Sequence, residues 1–278
     1  MRTTHSAVAS RTVAILSATS TIRAAPFSSM WVKRFAIGHQ DMRMGDVQGV
    51  LFDYGRTLVT FRYPTDDLLR VLDEFRPRIE RALGLPAPEA ETILEDVLLP
   101  LEEYVGSMSE DEVDYMDVYR KTWQRAGLRL PDDLLHEILD AEQQCWDRAV
   151  EVDDDAVRVL AWLAERGIKR GVCSNAPFPP EMMRRQVASN GITELVDAIV
   201  FSSEVGRRKP APEVYQAAID AIGTPPEKTV FVGDRVREDY EGPRAVGMRA
   251  IVVTAHAEDE PRDGVPTIAS LGELTSLL

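Results

Sequence analysis

Apolar and polar positions alternate with two different periods along the chain. Gly49-Val50-Leu51-Phe52 is a short continuous apolar run closed by Asp53, Tyr54 and Gly55, the pattern of a strand buried on both faces of a parallel sheet. Similar runs follow in "IKRGVCSN" (168–175), "DAIVFSSEVG" (197–206), "KTVFVGD" (228–234) and "RAIVVTA" (249–255), each predicting a strand. Between them the period becomes helical. "DDAVRVLAWLAERG" places Val157, Leu160, Ala161 and Ala164 on one face, and "APEVYQAAIDAIG" begins with Pro212 and stops at Gly223. "EDYEGPRAVGM" reads as a further helix, and Ser270 with Glu273 predicts a capping box for a last one. Strands alternating with helices predict a parallel sheet covered on both faces.

Residues 64–150 break this rhythm. "DDLLRVLDEFRPRIERALG", "APEAETILEDVLLPLEEYVG", "SEDEVDYMDVYRKTWQRAG" and "DDLLHEILDAEQQCWDRAV" are all helical in period and strongly acidic. They predict an insertion of about four helices after the first strand. The expected organisation is an α/β core over 45–63 and 151–278, a helical cap over 64–150, and a disordered N-terminal extension over 1–44. That extension is rich in Ser, Thr and Arg, with no acid in its first 35 residues. Such a composition resembles an organellar transit peptide, and "TVAILSA" a weak secretory segment. The plainer expectation is a disordered tail, or a start placed upstream of Met42 or Met44, in a cytoplasmic protein.

Composition narrows the partners. With 278 residues, 44% apolar and 28% charged, the chain can bury a sizeable core. A net charge of −14 argues against nucleic acid and anionic membrane surfaces. No run reaches the ~20 apolar residues that span a bilayer. Two cysteines make no disulfide framework; Cys145 and Cys173 fall in apolar patterns, as packed thiols do. No P-loop, CxxC, HExxH or nucleophile elbow is present. His136 falls in one of the inserted helices, where it or a neighbouring carboxylate could supply an acid, while His256, Arg207 and Arg208 read as solvent-facing. Nothing in the pattern indicates an oligomeric state.

Four strand ends carry polar groups that would meet at one edge of such a sheet, where open α/β folds place their ligands. They are Asp53 in "LFDYGRTL", Ser174 and Asn175 in "VCSN", Lys209 in "GRRKPAPEVY", and Asp234 with Asp239 in "FVGDRVRED". In this order they resemble the haloacid dehalogenase superfamily, whose members with a helical cap insert it after the first strand. The resemblance covers residues from about 47 to 278. It implies a Rossmann-like core and a Mg2+-dependent hydrolase of a small phosphorylated metabolite, working through an aspartyl-phosphate. Asp53 would be nucleophile and metal ligand, the Gly55 carbonyl and Asp234 further ligands, and Asp239 a ligand directly or through water. Lys209, Ser174 and Asn175 would bind the phosphoryl group, Lys209 offsetting charge.

One position departs from the family pattern. Its phosphatases usually carry a second aspartate two residues after the nucleophile, which protonates the leaving oxygen; here that residue is Gly55. A general acid is worth roughly 10²–10⁴ in rate. The departure leaves two alternatives open: a slow or non-catalytic phospho-ligand-binding protein, and a haloacid dehalogenase in which the same aspartate attacks carbon without a metal.

Overall fold

The computed structural model describes residues 47–106, 109–257 and 262–278. The expectations for residues 1–44 fall outside them. Strand β1 (Gly49–Phe52) is completely buried, as its unbroken apolar run requires. The chain then turns through Arg56, whose φ of 59° is left-handed, into β2 (Val59–Phe61). This strand pairs antiparallel with β3 (Val150–Val152), so the two ends of the helical insertion are tied side by side.

Between them run α1 (Thr65–Leu83), α2 (Ala90–Ile93), a π-helical turn (Leu94–Leu98), α3 (Leu99–Val105), α4 (Tyr115–Arg125) and α5 (Asp132–Ala149). Pro77 does not stop α1, which continues to a left-handed Gly84. These helices share an apolar cluster centred on Trp123, Tyr119, Leu72 and Ile79, reaching Phe178 and Met182 of the α/β part. No strand among the described residues of 64–149 joins the main sheet.

After β3 come α6 (Ala156–Glu165), β4 (Lys169–Ser174), α7 (Pro180–Ser189), β5 (Ala198–Phe201), α8 (Ser202–Val205) and α9 (Pro212–Ile222). Then follow β6 (Thr229–Gly233), a π-helical turn (Val236–Glu241), α10 (Gly242–Ala245), β7 (Arg249–Val253), β8 (Thr267–Ile268) and α11 (Leu274–Leu277). The sheet order is β5-β4-β1-β6-β7-β8, every neighbouring pair parallel. Alternate residues serve opposite layers. Val50 and Phe52 pack with α6 and α7 residues such as Leu160 and Val187, while Leu51, Cys173 and Phe231 pack with Val214 and Ile219 of α9. The result is the expected Rossmann-like α/β fold.

Three local expectations differ. In α6 the buried face is Ala156, Val159, Leu160 and Leu163, and Val157 is exposed, because the sheet lies about one residue's rotation from the predicted stripe. "SSEV" leaves the strand as α8, with Glu204 turning back to accept from the Phe201 N–H at 3.1 Å. Ser270 gives no side-chain cap; its own carbonyl takes the Glu273 N–H in a single 3-10 turn, Leu271–Glu273. Among the described residues no helix is long and apolar enough to cross a membrane.

Candidate active site

Parallel neighbours β4, β1 and β6 bring their carboxyl ends together, since Phe52 is in register with both Val172 and Val232. Asp53 leaves the end of β1, Ser174 ends β4 with Asn175 next, and Asp234 follows β6 directly. Asp239 comes back to them from the π-helical turn. Its approach depends on Gly233, where a Cβ would collide with the Asp239 carboxylate. The four motifs thus meet in one crevice.

Carboxylate oxygens of Asp53, Asp234 and Asp239 all lie within 4.8 Å of one another. Lys209, almost fully buried, donates from Nζ to Asp53 Oδ1 at 2.8 Å and to Asp239 Oδ1 at 2.7 Å. The other Asp239 oxygen accepts from the Arg235 backbone N–H at 2.9 Å. Asp234 Oδ2 is buried without a hydrogen-bond partner. Burial, then the charges of Asp53 and Asp239, push Asp234 up to about 7. Burial likewise pushes Asp239 up to about 6 against the pull of Lys209. Burial alone would lower Lys209, but Asp239 and Asp53 together hold it well above the ordinary lysine range.

Asn175 is engaged with the backbone of Lys209: its Oδ1 accepts from the Lys209 N–H at 2.7 Å and its Nδ2 donates to the Lys209 carbonyl at 3.2 Å. It therefore holds the lysine loop. Ser174, Gly55 and Asn175 itself all line the cavity. Arg208 is not the solvated neighbour its sequence suggested. It is buried, donates to the Val105 carbonyl of α3 and faces Glu112 at 3.9 Å, fastening the lysine loop to the helical insertion. His136 and His256 do not line the cavity; the first bonds the Asp132 carbonyl at 2.6 Å and the second Asp153 at 3.1 Å.

The cavity above these groups measures about 380 Å³, within the usual range for small ligands. Its far wall comes from the inserted helices and includes Glu102, Tyr115, Glu142 and Trp146. The two glutamates were not singled out from the sequence. A signal existed: Glu142 follows Leu135, Ile138 and Leu139 on the buried stripe of α5, where an acid is out of place.

A family model described as haloacid dehalogenase-like hydrolase matches residues 47–247. A glyceraldehyde 3-phosphate phosphatase of Methanopyrus kandleri is 26% identical over 224 residues, 79% of this chain and 91% of that protein. A phosphoserine phosphatase of Thermus thermophilus is 29% identical over 114 residues, 41% of this chain and 45% of the relative, so this chain spans under half of its length. The solved structure of a HAD phosphatase from Thermococcus onnurineus superposes with a TM-score of 0.58 at 21% identity, covering 83% of this chain and 97% of the other.

Proposed function

The chain belongs to the haloacid dehalogenase-like hydrolases, and we propose on that footing that it is a Mg2+-dependent phosphatase of a small phosphorylated metabolite, with Asp53 as nucleophile. One observation carries this reading: three carboxylates within ligand reach of one another, one with a buried unpartnered oxygen, at the carboxyl edge of the sheet. Against three acids stand Lys209 and the nearby charge of Arg235, which still leaves uncompensated negative charge in a buried place. A divalent cation offsets it, and an all-oxygen donor set suits magnesium. Asp53, Asp234 and the Gly55 carbonyl would hold the ion. Asp239, whose two oxygens already accept hydrogen bonds, would act through a bound water. When bound, the metal neutralises charge on the phosphoryl oxygens.

The chain's own groups account for the remaining steps. Asp53 attacks phosphorus; its O–P bond forms as the bond to the leaving oxygen breaks, and the electron pair departs with that oxygen. Water then adds to the phosphorus, loses its proton to solvent or to the alkoxide, and releases inorganic phosphate and the free carboxylate. Lys209 and Ser174 stabilise the phosphoryl oxygens. Asn175 positions Lys209. The inserted helices act as a cap that excludes water. The phosphatase names of two relatives support the substrate class.

Gly55 favours a second reading, a protein that binds a phosphorylated ligand and turns it over slowly or not at all. A dehalogenase would leave the Asp234 and Asp239 cluster without a task. A panel of aryl and alkyl phosphates, assayed with Mg2+ and with a chelator, separates the three. Aryl phosphate hydrolysis should require the metal and fall by more than about 10³-fold in Asp53→Asn. Full activity in chelator would sink the phosphatase reading.

A further inference from the structure

The cavity has two chemically different ends. At the sheet end lies the lysine–carboxylate cluster; at the cap end lie two acids among aromatic rings. Glu142 is 5% exposed. One of its oxygens accepts from the Tyr119 hydroxyl at 3.0 Å. Glu102 lies against Tyr63, whose ring meets Trp146 edge-on at 5.1 Å; Phe61 meets the same indole at 6.0 Å. Tyr115 and Phe178 pack together at 4.8 Å, and both line the cavity.

Among the described residues no cation offsets this acid pair. Burial acts on Glu142 together with the like charge of Glu102, opposed only by the Tyr119 hydroxyl, and pushes it up to about 8. Burial pushes Glu102 up to about 7. The cationic residues that share the cavity wall have other partners: Lys209 sits between Asp53 and Asp239, Arg208 on the Val105 carbonyl, Arg235 acts on Asp234, and Arg56 lies over Phe61. A buried carboxylate without a counter-charge is strongly disfavoured in its charged form. The arrangement is stable in charged form only if something else brings the cation. A cavity end lined by both aromatic rings and carboxylates suits one ligand group above others, an organic ammonium.

We propose that Glu142 and Glu102, walled by Trp146, Phe61 and Tyr115, bind an organic ammonium group, so that the substrate is the phosphate monoester of a small amino alcohol. The inference rests on the phosphatase reading for the other end of the molecule. It also bears on Gly55. An ammonium close to the leaving oxygen makes that oxygen less basic, which reduces the need for the acid that Gly55 lacks.

The test compares each ammonium ester with its uncharged isostere in Mg2+: phosphocholine against 3,3-dimethylbutyl phosphate, and phosphoethanolamine against propyl phosphate. A cation held by desolvated rings and carboxylates should raise kcat/KM over the isostere by about 30-fold or more, the equivalent of about 2 kcal/mol. Glu142→Gln should shrink that ratio to within about threefold, and Glu102→Gln should reduce it as a second variant. Calorimetric titration with choline alone reads the same end without turnover; binding should weaken about tenfold in Glu142→Gln. Equal kcat/KM within both pairs, or a preference untouched by both substitutions, would overturn the proposal. If no phosphate ester turns over, p-nitrophenyl phosphate included, the phosphatase reading falls. Choline binding that depends on Glu142 would then still uphold the ammonium site, and its absence would remove that too.

Discussion

Replacing Glu142 by glutamine should make the protein more stable, and increasingly so as pH rises. The carboxyl is pushed from an ordinary 4.5 up to about 8 by burial and the nearby Glu102 charge. Between these values the native state keeps a proton that the unfolded chain has released, so stability falls as pH climbs from about 4.5 and levels off above about 8. At 1.36 kcal/mol per pKa unit, the full loss is on the order of 5 kcal/mol. Glutamine removes that loss, having no charge to desolvate, and its amide oxygen can still accept from Tyr119. Glu102 also loses a repelling neighbour in the variant. Urea unfolding of both proteins at pH 4.5, 6, 7, 8 and 9, with m-values compared, reads the difference. The curves should nearly coincide at pH 4.5 and separate to several kcal/mol by pH 9. Parallel curves, or a variant less stable at pH 9, would show that Glu142 already has a compensating partner in the folded chain.

Three further outcomes are expected. Because Asp234 is pushed up to about 7 in the metal-free site, Mg2+ affinity measured by thermal shift should rise from pH 6 to pH 8. Asp234→Asn should weaken that affinity at least tenfold, and an unchanged affinity would remove it from the ligand set. Lys209→Met should cost about 3–5 kcal/mol at pH 8 by leaving buried carboxylates unpaired. That loss should narrow towards pH 5 as Asp234 and Asp239 take up protons, whereas a pH-independent loss would point to packing alone.

The candidate site at the sheet edge is legible because its signals are local. A central parallel strand must be apolar throughout, so Asp53, Ser174 and Asp234 stand out where the runs end, and the order of the four stretches supplied the rest. The end lined by the inserted helices is less legible, because an acid on an amphipathic helix ordinarily faces water. Only the phase of α5 betrays Glu142, and Glu102 lies just beyond a π-helical turn that shifts the phase of its helix. Arg208 was misread for a similar reason. Its burial comes from Val105 and Glu112, about 100 residues earlier, and no local pattern in "GRRKP" announces contacts with them.

Gly55 remains the position where sequence and structure bear hardest on each other. A glycine after a strand usually serves a backbone that needs positive φ, but here the left-handed residue is Arg56, and Gly55 has an ordinary conformation. Its freedom is therefore not what the turn uses. Nor does tight packing exclude a side chain, since a Cβ at Gly55 would meet only the Phe61 Cε1 at 3.4 Å, and that ring is 43% exposed. Gly55→Asp should accordingly fold with a stability change within about 1 kcal/mol. It would place a carboxyl group two residues after Asp53, the proposed nucleophile, at the position from which family phosphatases protonate the leaving oxygen. In the native protein, rates across a phosphate ester series should fall steeply as the leaving alcohol becomes more basic. Gly55→Asp should flatten that dependence and raise turnover of simple alkyl phosphates, by as much as the roughly 10²-fold lower range of a general acid. Aryl phosphates, whose leaving oxygen needs no proton, should change little. If the dependence is already flat in the native protein, an acid elsewhere in the cavity serves the leaving group. If the variant folds but alkyl phosphates gain nothing, Gly55 is there for the room it leaves beside Phe61, where the substrate itself must lie.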